Sequence, residues 1–167
     1  DILIKFAKAL KVKIDFFFRP IQVSLKEVKF RKRRKLSIKA EESIKFEVMS
    51  QIERRLELEN LYPDSPMPLF QLPSDLPKKI LDLDEIECMA EKLREHWKLG
   101  LAPIHDLIDA FEGLGIRVFI VDTDEEHFDG LSTIIHDQPI VVISSKWPGD
   151  RQRFNLSHEL AHYVFID

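Results

Sequence analysis

The chain has 167 residues, 44% apolar and 32% charged, with a formal net charge of −4. This composition fits a folded chain with one sizeable core and excludes collagen-like or low-complexity disorder. The longest apolar runs, such as 16–18 and 140–143, are far too short to span a bilayer, and a single cysteine, Cys88, excludes an intrachain disulfide.

The charge is unevenly placed. Residues 1–55 hold 16 of the 25 Lys and Arg but 7 of the 29 Asp and Glu, so a basic N-terminal part precedes an acidic body. The opening DILIKFAKALKVKIDFFF is punctuated by lysines and does not read as a signal peptide. With the lone cysteine, this predicts a cytoplasmic protein without membrane contact. The first residue is Asp1, and the chain is expected to be a fragment or processed product.

In chain order, Ile2, Phe6, Ala9 and Leu10 have helical spacing, and the apolar stretch that follows closes at Pro20. Residues 21–35 alternate loosely and predict a short extended segment. Within them FRKRRK, 30–35, is either a solvated connector or a patch facing nucleic acid. Ser37 can cap a long helix to about Leu61, with Ile44, Val48, Met49, Ile52 and Leu56 on its inner face. Residues 62–77 contain five of the nine prolines, which predicts a linker or an extended wrapping arm, and the domain boundary is placed there.

A helix is predicted from Asp82, with Ile86, Met89, Ala90, Leu93 and Trp97 as one stripe and Gly100 as its stop. Cys88 beside that stripe reads as packing. A second helix is expected from Pro103, with Ile104, Leu107, Ile108 and Phe111 inward. Arg117–Val121, Leu131–Ile135 and Ile140–Ile143 read as strands, with HDQP as a hairpin turn. A last helix opens at Gly149 or Asp150, its apolar surface supplied by Phe154, Leu160, Ala161, Val164 and Phe165. The body is therefore an α+β fold with a small three-stranded sheet, preceded by an N-terminal helical segment.

The last helix carries HELAH, residues 158–162. Positions i and i+4 share a helix face, so His158 and His162 can direct their imidazoles at one point, at spacing suited to zinc or another divalent metal. Glu159 is placed to act as general base on a water activated there, and then to protonate the leaving amine of a cleaved peptide. Catalytic zinc takes three protein ligands, and no third is evident. The metzincin spacing is excluded, because Phe165 stands where its Gly would be. Asp167 lies about 140° around the helix from His162, and His127 and His136 read as solvated loop residues. Arg151 and Arg153 could bind substrate or form local ion pairs, and Trp147 reads as a packing anchor.

The stretch WPGDRQRFNLSHELAHYVF resembles the ImmA/IrrE metallopeptidases, whose pattern W-x-x-x-R-x-R-F-x-x-x-H-E-[LI]-[GAS]-H is matched by Trp147, Arg151, Arg153, Phe154, His158, Glu159, Leu160 and His162. GIRVFIVD…DGLSTIIHDQPIVVISS resembles the hairpin before that helix, and the resemblance extends over about 80–167. It implies a zincin-like core, with residues 78–167 as the N-terminal part of the peptidase domain and the third ligand an acid beyond Asp167. The chain as given is then expected to bind metal weakly. DILIKFAKALKVKIDFFFRP, 1–20, resembles the last helix of a Xre/Cro-type helix-turn-helix domain, followed by the basic segment, long helix and linker of 21–77. Together these imply a regulator–peptidase fusion that cleaves a repressor or similar protein, with DNA bound by an upstream module outside this chain. The alternative implied is a non-proteolytic regulator whose peptidase-like domain senses a ligand or mediates homodimerisation.

Overall fold

A computed structural model describes residues 2–18, 37–62, 68–77, 82–123 and 128–165. The expectations for 21–35, including FRKRRK, and for His127 and Asp167 lie outside these residues. The elements are α1 (Ile2–Leu10), a 3-10 turn (Ile14–Phe18), α2 (Ile38–Asn60), α3 (Leu83–His96), α4 (Leu107–Gly113), β1 (Arg117–Val121), β2 (Gly130–Ile135), β3 (Gln138–Ser144) and α5 (Gly149–Val164). The fold is α+β, as the element pattern predicts.

The strands lie in the order β1-β3-β2, with β1 parallel and β2 antiparallel to β3. β3 is therefore central, which explains its unbroken run of Ile140, Val141, Val142 and Ile143: both of its faces are covered. On one face Ile140 and Val142 join Val121, Leu131 and Ile135 in packing against Ile44, Val48, Met49 and Ile52 of α2. On the other, Val141 and Ile143 pack with Ile116 against Leu107 and Phe111 of α4 and Leu156 and Tyr163 of α5. The helix before the Pro-rich stretch and the sheet after it thus share one core. β2 and β3 are joined by His136 and Asp137 at φ 49° and 62°, the positive pair that a two-residue hairpin turn requires.

α2 begins as predicted, with the Ser37 hydroxyl accepting from the Ala40 amide at 3.1 Å. Its far end is tied to β1. Arg117, buried on the α2 side of β1, donates to both carboxylate oxygens of Glu59, and Arg55 adds a bond to Glu59 at 2.9 Å. Burial works to raise the Glu59 pKa, but the two guanidiniums outweigh it and hold the carboxyl below its ordinary value of 4.5. Its contribution to stability is therefore present above that value and lost as pH falls through the lowered one. Glu59→Gln should cost about 2 kcal/mol at neutral pH, between surface and fully buried pairs. Urea unfolding should show this deficit unchanged from pH 8 to 6 and shrinking below pH 4.5.

Residues 68–77 behave as a wrapping arm. Phe70 packs on Trp97 and Tyr163, with ring centroids at 6.0 and 6.1 Å, and Trp97 Nε1 donates to the Gln71 carbonyl. Gly115, at φ 88°, allows this approach: a Cβ there would sit 2.2 Å from the Pro68 carbonyl oxygen.

Three helical expectations differ from the structure. In α3, Met89 and Leu93 are buried and Trp97 half-buried, but Ile86, Ala90 and Cys88 are exposed, so the inward stripe is narrower and Cys88 is not packed. α4 starts at Leu107, not Pro103. The Asp106 carboxylate accepts from the Ile108 and Asp109 amides and caps the helix there, while Arg153 takes the Ile104 and His105 carbonyls. In α5, the buried face is Asn155, Leu156, Glu159 and Tyr163; Phe154 and Phe165 are exposed and Leu160, Ala161 and Val164 half-buried. No described helix is long and apolar enough to cross a membrane.

Candidate metal centre

The rotation of α5 decides the site. Because Asn155, Glu159 and Tyr163 recur every four residues, they lie on one face, and that face meets the sheet. His158 and His162 fall on the edge of this face, one exposed and one half-buried. Their rings are 4.7 Å apart at 80°. Ligand atoms of His158, Glu159 and His162 all lie within 4.8 Å of one another. Among the described residues this is the group that could hold a metal ion. His136, exposed in the hairpin turn, is not part of it.

Two imidazoles and a carboxylate at this spacing are the donor types that zinc takes, and small rotations about χ angles bring donors from below 5 Å to the separations of a shared ion. The donor set therefore fits a divalent metal. His158 and His162 would hold it, and the ion would supply Lewis acidity and a more acidic water. Glu159, 8% exposed, is held against the sheet.

What holds Glu159 there is a set of residues that the motif alone does not reveal. A Cβ at Gly130, the first residue of β2, would lie 3.5 Å from Glu159 Cγ and Oε1 and 2.7 Å from the Val142 carbonyl oxygen. The start of β2 thus runs directly beside the carboxylate. That approach is fixed from α5 itself. Arg151 bonds the Asp129 carboxylate at 3.0 Å, and Asn155 Nδ2 and the Ser144 amide donate to the Asp129 carbonyl at 3.3 and 3.2 Å. The Arg151 guanidinium lies 3.5 Å over the Trp147 ring, whose Nε1 donates to the Phe128 carbonyl. Arg151 is therefore a strut between α5 and β2, and Trp147 is the anchor expected of it. Arg153 reaches the other way, donating to two carbonyls of the loop before α4.

Tyr163, one turn beyond Glu159, places its hydroxyl between β2 and β3. It lies 2.6–3.1 Å from the amides and carbonyls of Thr133 and Ile140, which face each other across the two strands. Burial pushes the Tyr163 hydroxyl pKa up, the backbone amides oppose this, and the nearby Glu159 charge adds to the rise. The phenol stays protonated and acts as a strand clamp. The signals for these residues were present in sequence: Asp-Gly opens the strand GLSTII, and Asn155 and Tyr163 stand four residues on either side of Glu159.

A helix presents His-Glu-x-x-His beside a small mixed sheet, an arrangement compatible with a peptidase-like fold. Residues 111–166 match the family model of the IrrE N-terminal-like domain, Peptidase_M78. The match covers about a third of the chain, from Phe111 in α4 through all three strands and α5, so it includes every residue of the cluster. No curated protein and no solved structure matches the chain.

Proposed function

We propose that this chain carries the catalytic part of a metal-dependent endopeptidase, with His158 and His162 as metal ligands and Glu159 as general base. The observation that carries the reading is the convergence of these three side chains beside the start of β2. β2 lies at the sheet edge, and among the described residues no strand pairs with its outer side, so an extended polypeptide could add there by main-chain hydrogen bonds. The match over 111–166 supports the same class. The substrate is a repressor or similar regulatory protein, and the chain is the peptidase part of a cytoplasmic regulator fusion that reaches DNA through a helix-turn-helix module and can pair as a homodimer. The resemblance of 1–20 and 147–165 to such fusions supports this finer reading.

Two histidines are fewer protein ligands than catalytic zinc takes. Calorimetric titration of the 167-residue chain should accordingly give a zinc Kd on the order of micromolar, lost in His162→Ala. Nanomolar affinity would show that this chain supplies a complete ligand set. Purified helix-turn-helix repressors incubated with the zinc-loaded full-length protein should yield discrete fragments that disappear with chelator. Zinc binding without cleavage of any repressor would replace the peptidase reading with that of a metal-sensing regulator.

A further inference from the structure

A pocket of about 360 Å³ lies on the outer side of α5, away from β2, between α5, α3 and the loop before α4. Its lining is apolar at Pro103, Ile104, Leu107 and Phe154, and polar at Arg94, Arg153 and Ser157. Phe154 is shared with the metal centre: its ring stacks on His158 at 6.4 Å and 22°. Whatever fills the pocket therefore sits within about one helical turn of the first metal ligand.

The two arginines set the chemistry. Arg94 donates to the Gly100 and Ala102 carbonyls at 2.8 and 2.6 Å, and Arg153 to the His105 and Ile104 carbonyls at 3.2 and 2.6 Å. These bonds fix both guanidiniums in place but leave their charge intact, because every acceptor is neutral. Arg55, Arg117 and Arg151 each have a carboxylate within 4.0 Å; among the described residues Arg94 and Arg153 have none. Two oriented, uncompensated positive charges therefore share one cavity wall above apolar surface. Guanidinium N–H groups not used by the carbonyls are suited to a carboxylate, with which they form charge-assisted bonds.

We propose that this pocket is a substrate subsite for an acidic side chain, of the glutamate type, joined to the metal centre through the ring of Phe154. The methylene stem packs on Ile104, Leu107 and Phe154 while the carboxylate meets Arg94 and Arg153. The proposal rests on the peptidase reading for the meaning of the subsite, but its binding test does not depend on metal.

The test is an NMR titration of the 167-residue chain in the presence of chelator, with N-acetyl-Leu-Glu-Leu-amide and its Gln counterpart. Blocked ends remove the terminal carboxylate as a competing source. The Glu peptide should shift resonances of Phe154 and Ser157 and bind at least about 5-fold more tightly than the Gln peptide. Raising salt from 50 to 500 mM should erase that preference. Ser157→Glu, at an exposed helix position, should erase it too while the rest of the spectrum is retained; should that variant misfold, the salt dependence decides. Equal binding of the two peptides, or shifts mapping away from the pocket, would overturn the proposal. A Glu preference in a protein that cleaves nothing would leave the pocket standing and the peptidase reading refuted.

Discussion

Glu159→Gln should lower the cleavage rate by about 10³-fold with little change in zinc affinity. The substitution keeps the shape and one hydrogen-bond acceptor but removes the atom that takes a proton. General acid–base catalysis by a positioned side chain contributes on the order of 10²–10⁴ in rate. In the proposed reaction Glu159 serves two proton transfers, so the middle of that range or above is expected, equivalent to about 4 kcal/mol of barrier. The effect should fall on kcat rather than KM, because the carboxylate is buried beside β2 and is not a surface to which substrate docks. The zinc Kd, measured in parallel, should move less than about 3-fold, since the two imidazoles carry the binding. A variant that cleaves at the parental rate, or that loses zinc along with activity, would remove Glu159 from the role of base.

Gly130→Val should destabilise the fold by about 3 kcal/mol, the upper range for overpacking a well-packed site. The reason is backbone, not side chain. A Cβ at this position stands 2.7 Å from the Val142 carbonyl oxygen, and that oxygen belongs to the central strand, covered on both faces. β2 must therefore move away from β3, or Gly130 must leave the register in which it faces Ile143. The Glu159 atoms, at 3.5 Å from that Cβ, are at ordinary contact distance, so crowding of the carboxylate follows only from the extra methyl groups. Gly113, where an added Cβ meets nothing within 4 Å, is the control: Gly113→Ala should be neutral or slightly stabilising. Urea midpoints for the two variants distinguish the local clash from a general intolerance of substitution. A Gly130→Val midpoint within error of the parent would show that β2 is not fixed against β3 at this point.

The sequence makes much of this arrangement legible. Ser37 and Asp82 mark helix starts correctly because each is a short polar side chain before an apolar period, and the structure shows each accepting the expected amide bond. The strands are visible because IRVFIV, GLSTII and PIVVIS are β-branched runs between turn residues. HELAH is legible because helical spacing alone forces its two histidines together. The strand order is not, since β1 and β3 pair although β2 lies between them in sequence, and the alternation of β3 is hidden by burial on both of its faces. The facing of α5 also escapes hydropathy. Asn155 and Glu159 occupy its buried face for hydrogen-bonding and site reasons, while Phe154 is left outside as a wall of the pocket and a neighbour of His158. The contacts of Asp129 with Arg151 and Asn155 join residues more than twenty positions apart, and no local pattern encodes them.

The position of α2 has a further consequence. The segment that matches the family model begins in α4, yet one whole face of its sheet is roofed by a helix that ends more than fifty residues earlier. The stretch that matches the family model is therefore smaller than the stretch that shares its core. Residues 111–166 expressed alone would expose Leu131, Ile135, Ile140 and Val142 as one continuous greasy surface and would be expected to self-associate, although the HELAH helix still lies on the opposite face of the sheet.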